Sequence, residues 1–180
     1  MEFDLGDLKK FAEAQAKYFE EGGERALRET YEDHKGLNLV KPIYIENWPR
    51  ELSNLSILQW GAPLNVEEVD SLIKEENEIG MFSGLVSKLE KGFAIFPEGA
   101  FVRLGSRSPK DSPAFMEHPK VRSGMEAVEL LIADFSERLY EDLMKAKYTG
   151  YTPWIFLREW RNIPEWTEFR CFMENKELVG

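Results

Sequence analysis

Arginine occurs in two stretches where a strand should carry apolar or neutral residues. The first is Ala100-Phe-Val-Arg-Leu-Gly-Ser-Arg-Ser-Pro-Lys-Asp111. The second is Pro153-Trp-Ile-Phe-Leu-Arg-Glu-Trp160, followed by Glu168-Phe-Arg-Cys-Phe-Met173. A guanidinium stays charged, and taking it out of water is costly unless an anion meets it. Arg103, Arg158 and Arg170 are therefore candidates for contact with phosphate or carboxylate, which their planar fork of donors suits. Side chains alternate between faces along a strand. Arg103 then projects with Phe101, Arg158 with Trp154, Phe156 and Trp160, and Arg170 with Glu168 and Phe172. Each strand has one apolar face for a core and one face that mixes aromatics with arginine. If the three strands are neighbours, the arginines converge on one anionic site. The competing use is internal pairing, for example of Arg170 with Glu159 or Glu168.

The loop Gly105 to Asp111 is rich in donors. Ser106, Arg107, Lys110 and the backbone N–H groups are placed to close over an anion, and the alternative is an exposed surface loop. Asp111 either anchors this loop or approaches a metal. The glycine spacing and Gly-Lys-Ser/Thr ending of a nucleotide-binding P-loop are absent. Two histidines, His34 and His118, and one cysteine, Cys171, stand far apart in the chain, which argues against a zinc site. No histidine near Cys171 suggests a catalytic pair, so this cysteine reads as packing. No metal-ligating residue is singled out.

These segments need elements to position them. An apolar stripe at Leu5, Leu8, Phe11, Ala12, Ala16 and Phe19 predicts a helix that Gly22-Gly23 stops, with a second helical piece through Tyr31. From Leu37 to Gly61 the sequence reads as irregular, with short strands at Pro42 to Ile45 and Leu55 to Leu58. Asn65 with Glu68 forms a capping box for a helix bearing Val66, Val69, Leu72 and Ile73. Another helical piece from Phe82 to Leu89 ends at Lys91-Gly92. Strands are expected at Phe93 to Phe96 and Ala100 to Leu104, with Pro97-Glu-Gly99 turning between them. Ser123 and Glu126 cap a helix whose core face is Val128, Leu131, Ile132, Phe135, Leu139 and Leu143. Gly150 and Pro153 close it, and strands follow at 154–160 and 168–174. Helices interleaved with strands mean α/β or α+β. The expected division is a helix-rich region at 1–92 and a second portion at 93–180. The ending Lys176-Glu-Leu-Val-Gly180 reads as the start of another element, so the C-terminal part is expected to be incomplete.

At 180 residues with 43% hydrophobic content, the chain suffices for one core or for two small lobes sharing one. Its apolar runs are too short to cross a bilayer, and a single cysteine forms no internal disulfide, so the cytoplasm is the default compartment. A net charge of −10 disfavours extended nucleic-acid binding, which phosphate neutralisation drives, but leaves room for a local anion site.

Phe101-Val-Arg-Leu-Gly-Ser-Arg-Ser-Pro-Lys-Asp111, with Phe156-Leu-Arg-Glu-Trp160 and Glu168-Phe-Arg-Cys-Phe172, resembles the two signatures of the cell division cycle protein 123 family. The resemblance covers roughly the second half of the chain. That family belongs to the ATP-grasp superfamily, in a clade marked by two arginines and a lysine. It implies ATP held between two small lobes, with 93–180 as the nucleotide-binding portion. By resemblance, Arg103 takes the place of a phosphate-contacting residue that is usually lysine, and Ser106, Lys110 and Asp111 belong to the loop. Arg158, Glu159 and Trp160 run through the hinge where backbone groups meet adenine, and Glu168 and Arg170 line the nucleotide. The family's magnesium-binding acids are expected beyond the end of this chain, so weak nucleotide binding is expected from the chain alone. Two functions follow. One is ligase-type chemistry joining a carboxylate to an amine or thiol at the expense of ATP. The other is a non-catalytic ATP-binding assembly factor, as implied for translation initiation factor 2, or an inactive relative. The N-terminal half carries no matching motif, which leans the reading towards a prokaryotic or viral branch.

Overall fold

A computed structural model describes residues 17, 20–74, 79–133, 136–164, 173–174 and 177–178. It is a mixed α+β protein organised on a small antiparallel sheet. Residues 20–31 are helical (α1), so Gly22-Gly23 lies within helical residues instead of ending them. The stripe from Leu5 to Phe19 lies outside the described residues, apart from Lys17. Helix α2 spans His34–Val40, with the Asp33 side chain accepting from the Gly36 N–H.

Between Lys41 and Asn47 the chain makes two 3₁₀ turns where a strand was expected. Tyr44 and Trp48 donate their N–H groups to Lys41 and Ile45, three residues back, and Pro42 has no N–H to give to a ladder. The apolar residues at 55–58 likewise make no strand. Helix α3 (Arg50–Leu55) ends there, Leu55 is exposed, and strand β1 begins only at Gln59 and runs to Pro63. Leu58 is exposed too, and only Ile57 of the three apolar side chains there is half-buried.

Helix α4 (Val66–Leu72) starts on the expected capping box, with Asn65 accepting from the Glu68 N–H and Glu68 accepting from the Asn65 N–H. Helix α5 (Ser83–Phe93) runs further than expected and replaces the predicted strand at 93–96. Phe93 and Phe96 are both buried. At a spacing of three, a strand would send them to opposite faces, whereas a helix end and turn puts them together.

Strand β2 (Ala100–Leu104), helix α6 (Pro113–Glu117) and helix α7 (Gly124–Ala133) follow. The single long helix expected from Gly124 onward is two. Helix α8 (Glu137–Thr149) begins afresh at Ser136, whose Oγ accepts from the Leu139 N–H, and Gly150 closes it at φ 68. Phe135 lies outside the described residues. Strand β3 spans Trp154–Glu159, and a two-residue ladder pairs β4 (Met173–Glu174) with β5 (Glu177–Leu178).

The sheet order is β1-β3-β2, all antiparallel. Ala100, Val102, Leu104, Ile155 and Leu157 form its buried face. They pack with Leu85, Leu89 and Phe93 of α5 and with Ala127, Val128 and Leu131 of α7 in one cluster. Burying these side chains contributes on the order of 1.5–3 kcal/mol for each large one, which fixes the sheet. No described helix is long and apolar enough to cross a membrane.

Candidate functional site

The register of the sheet decides which residues meet on the face turned away from the core. Phe101 stands opposite Arg158, and Arg103 opposite Phe156. The two arginines are thus diagonal neighbours on adjacent strands. On the other side of β3, Gln59 faces Arg158 and Gly61 faces Phe156. Gly61 is required there, because a Cβ would stand 2.4 Å from the Phe156 ring. The ring of Trp154 stacks beside Phe156 at 6.1 Å and 26°. Phe101 meets Phe115 of α6 edge-on at 5.4 Å.

Both arginines are partly buried. Arg103 Nε donates to the Leu104 carbonyl at 2.8 Å, and Arg158 Nη2 donates to Ser56 Oγ at 2.6 Å. Among the described residues neither arginine stands within ion-pair distance of a carboxylate, although Glu46 is close enough to act on the Arg103 charge, and Arg158 Nε is buried with no hydrogen-bond partner. Burial pushes the Arg103 guanidinium down to about 10, the charge of Arg158 pushes the same way, and Glu46 opposes them. Burial also lowers Arg158. Burial disfavours the charged form of both guanidiniums, a cost that a nearby anion would offset.

Glu46 is the acid of this neighbourhood. Its Oε1 accepts from Tyr151 Oη at 2.6 Å, and its Oε2 is buried without a partner among the described residues. It lies directly on the backbone of Gly105, where a Cβ would be 1.6 Å from Oε2. Burial, then the hydrogen bond to Glu46 and its charge, push the Tyr151 phenol well above its ordinary range. Lys41 sits over the Tyr151 ring at 5.1 Å. Glu46, Trp48, Ser56, Gln59, Trp154 and Phe156 line an open cleft of about 630 Å³ on this side of the sheet.

Within the fold, Arg107 and Asp111 of the donor-rich loop both turn towards α8. Arg107 turns to α8, 3.4 Å from Asp142 and 3.5 Å from Glu141. Ser106 lies with Glu46, Asp142 and Trp154 around a small recess. Lys110 is exposed, while Pro109 and Ser112 are buried and pin the loop down. Asp111 accepts from Ser136 Oγ at 2.7 Å and from the Arg138 N–H at 3.1 Å, and so caps the start of α8. Burial works to raise the Asp111 carboxyl, but these hydrogen bonds and the Arg138 charge outweigh it and hold it below its ordinary value. Of the two roles read for Asp111, the structure shows the anchor.

Glu159 pairs with Arg161 at 2.6 Å, while Trp160 donates its N–H to Gly99 and lies under Lys120 at 6.0 Å. Glu168, Arg170 and Cys171 lie outside the described residues. The structure therefore brings Arg103 and Arg158 together on one face and sends the Asp111 carboxylate to α8. Glu46, Gln59, Ser56 and Tyr151 escaped sequence reasoning. They come from segments with no periodic signal, and only the pairing of β1 with β3 draws Gln59 and Ser56 to the arginines. Among the described residues no group of three or more His, Cys, Asp or Glu is placed to hold a metal ion. The two described arginines on this face carry planar donor forks of the kind that suit phosphate or carboxylate oxygens.

A family model described as D123 matches residues 63–180. Among solved structures, the chain is similar to Cdc123 from Schizosaccharomyces pombe, with a TM-score of 0.65 and 19% identity. The likeness covers 79% of this chain and 62% of that one, so this chain spans less than two thirds of its length. At that identity the likeness is one of fold. It extends beyond the family-matched segment into the N-terminal half, where no sequence motif had been legible. No curated protein sequence matches the chain.

Proposed function

The chain belongs to the D123 family, and from that premise we propose that the outer face of its sheet is the floor of an ATP-grasp nucleotide site. Arg103 and Arg158 hold the ATP phosphates there, and the segment through Glu159 and Trp160 runs past the base. One observation carries this reading: two partly buried guanidiniums stand side by side with no ion-pair partner among the described residues. Such an arrangement is costly without an anion, and a polyphosphate supplies several acceptor oxygens to two donor forks.

ATP held in this way serves ligase-type chemistry. A substrate carboxylate oxygen attacks the γ-phosphorus and ADP leaves. An amine or thiol then attacks the acyl carbon of the mixed anhydride, phosphate departs, and the nucleophile gives up its proton. Arg103 and Arg158 contribute by steadying negative charge as it moves between oxygens. A cytoplasmic setting, where ATP is abundant, goes with this use. A second reading is favoured by the fold likeness to Cdc123 reaching into the N-terminal half. In it, bound ATP organises a surface for a protein partner, as the family resemblance implies for translation initiation factor 2.

Calorimetric titration with ATP and magnesium tests the site. The expected result is binding that Arg103→Met and Arg158→Met each weaken at least tenfold. Equal binding by wild type and both variants would overturn the assignment. Release of ADP that depends on an added carboxylate and amine would support the ligase. Nucleotide-dependent capture of initiation factor 2 subunits without ADP release would support the assembly factor.

A further inference from the structure

Beyond the paired ends of β1 and β3, a cleft of about 510 Å³ opens between α4 and α8. Its wall is mostly apolar, made by Pro63, Leu64, Val66, Val69, Ala146 and Pro153. Leu64, Val69, Ala146 and Pro153 are buried, so the fold holds this floor in place. Val66 shares the apolar stripe of α4 with Val69, yet it is 74% exposed at the rim. A cleft of this size with an apolar floor and few polar groups is the usual form of a small-molecule site. Neither Arg103 nor Arg158 lines it, so the site stands apart from the nucleotide reading.

The polar groups say what kind of molecule fits. Lys88 already donates to the Pro63 carbonyl at 2.7 Å and pairs with Glu68. Lys147 of α8 meets Asp70 of α4 at 3.0 Å, and both line the cleft. The Asp70 oxygen that faces Lys147, Oδ1, is sealed from any ligand. Its Oδ2 is not sealed in this way and has no partner among the described residues. An ammonium has three donors, so Lys147 keeps donors to spare after meeting Asp70, and about a third of its side chain is exposed. Gly150, which closes α8, also lines the cleft, and the negative end of that helix favours a cation there.

The cleft therefore offers both signs of charge above an apolar floor. An apolar acid would use Lys147 but set its charge against Asp70 and the end of α8. An apolar amine would do the reverse. A zwitterion answers both, and an α-amino acid carries its two charges on one carbon, which suits a pair as close as Asp70 and Lys147. We infer that this cleft binds a free apolar α-amino acid. Its ammonium meets Asp70 and the end of α8, its carboxylate meets Lys147, and its side chain lies against Leu64, Val69 and Ala146.

The test is calorimetry on the full chain at neutral pH with L-leucine, glycine, 4-methylpentanoate and 3-methylbutylamine. The last two lack the ammonium and the carboxylate of leucine, and glycine lacks its apolar body. Leucine is expected to bind at least tenfold tighter than each of the others. Asp70→Asn should weaken leucine at least fivefold without weakening 4-methylpentanoate, and Lys147→Met should weaken it as much without weakening the amine. Glu117→Gln, at an exposed acid on α6, should change nothing. An ion pair that only joins the two helices would give equal losses for all ligands in both variants, and that result would overturn the inference. Should either variant fail to fold, the ranking on the unaltered chain decides: leucine no tighter than the acid, the amine or glycine, or no binding of any, also overturns it. Sedimentation velocity tests the other occupant. A concentration-dependent dimer abolished by Val66→Asp would give the cleft to a second copy of the chain instead.

Discussion

Gly105 sits where β2 runs out into the loop, and replacing it with alanine tests how firmly Glu46 is held. A Cβ built there would stand 1.6 Å from Glu46 Oε2 and 2.6 Å from its carboxyl carbon. The backbone has little freedom to yield. The Gly105 N–H donates to the Trp154 carbonyl at 2.8 Å, and its own carbonyl accepts from the Ile45 N–H at 3.2 Å. The carboxylate must therefore retreat by about 2 Å to reach ordinary contact. It ends a flexible side chain, so the movement itself costs little. What it breaks is the 2.6 Å hydrogen bond from Tyr151. A hydrogen bond to a charged group contributes about 1.5–3 kcal/mol, and partial exposure places this one in the lower half of that range. Gly105→Ala is thus expected to cost about 2 kcal/mol and to lower Tm by about 4–8 °C for a chain of this size. Urea unfolding followed by circular dichroism would be run on wild type, Gly105→Ala, Tyr151→Phe and the double variant. With Tyr151→Phe the tether is already gone, so the glycine substitution should then cost no more than about 0.5 kcal/mol, a coupling of about 1.5 kcal/mol. An equal cost in both backgrounds would show that the clash is not with a tethered carboxylate, and an unchanged single variant would refute the argument outright.

Arg103→Met should raise Tm in the absence of nucleotide even as it weakens ATP. Two guanidiniums at diagonal strand positions, about 8 Å apart, repel by roughly 2 kcal/mol at an effective dielectric near 20. Differential scanning calorimetry showing a less stable variant would contradict this. Asp111→Asn should cost about 1 kcal/mol near neutral pH by weakening the cap on α8. The Asp111 carboxyl titrates below its ordinary 3.8 in the folded protein, so its contribution is whole above that value and disappears as pH falls through the depressed one. The variant's stability should therefore converge on that of wild type in acid, and parallel curves below about pH 4 would sink the assignment. Gly99→Ala should cost about 2–4 kcal/mol, because φ is +101 there and the new Cβ would lie 2.8 Å from the Val121 carbonyl. That carbonyl accepts from Ala100, so a loss under about 1 kcal/mol in urea unfolding would mean the Ala100–Val121 bridge moves freely.

Local periodicity carried much of the fold. The alternation in Ala100–Leu104 and Trp154–Glu159 named both strands; in the first it agrees with the observed burial, whereas in the second Phe156, on the face bearing arginine, is buried as well. Asn65 and Glu68 announced α4 because a capping box is made within four residues. Where the signal was ambiguous, distant packing chose: Phe93 and Phe96 are an apolar run that suits a strand or a helix end, and the common core they share selects the latter. The break at Ser136 was hidden because the residue that supports it, Asp111, comes from 25 positions away. For the site the division is sharper. Alternation states which way Arg103 and Arg158 point, since that depends only on the pleat of their own strands. It does not state that they are diagonal neighbours, that Gln59 stands across from Arg158, or that Glu46 and Tyr151 close the same region. Those facts depend on strand order and register, which are set by long-range burial that no local pattern of residues encodes.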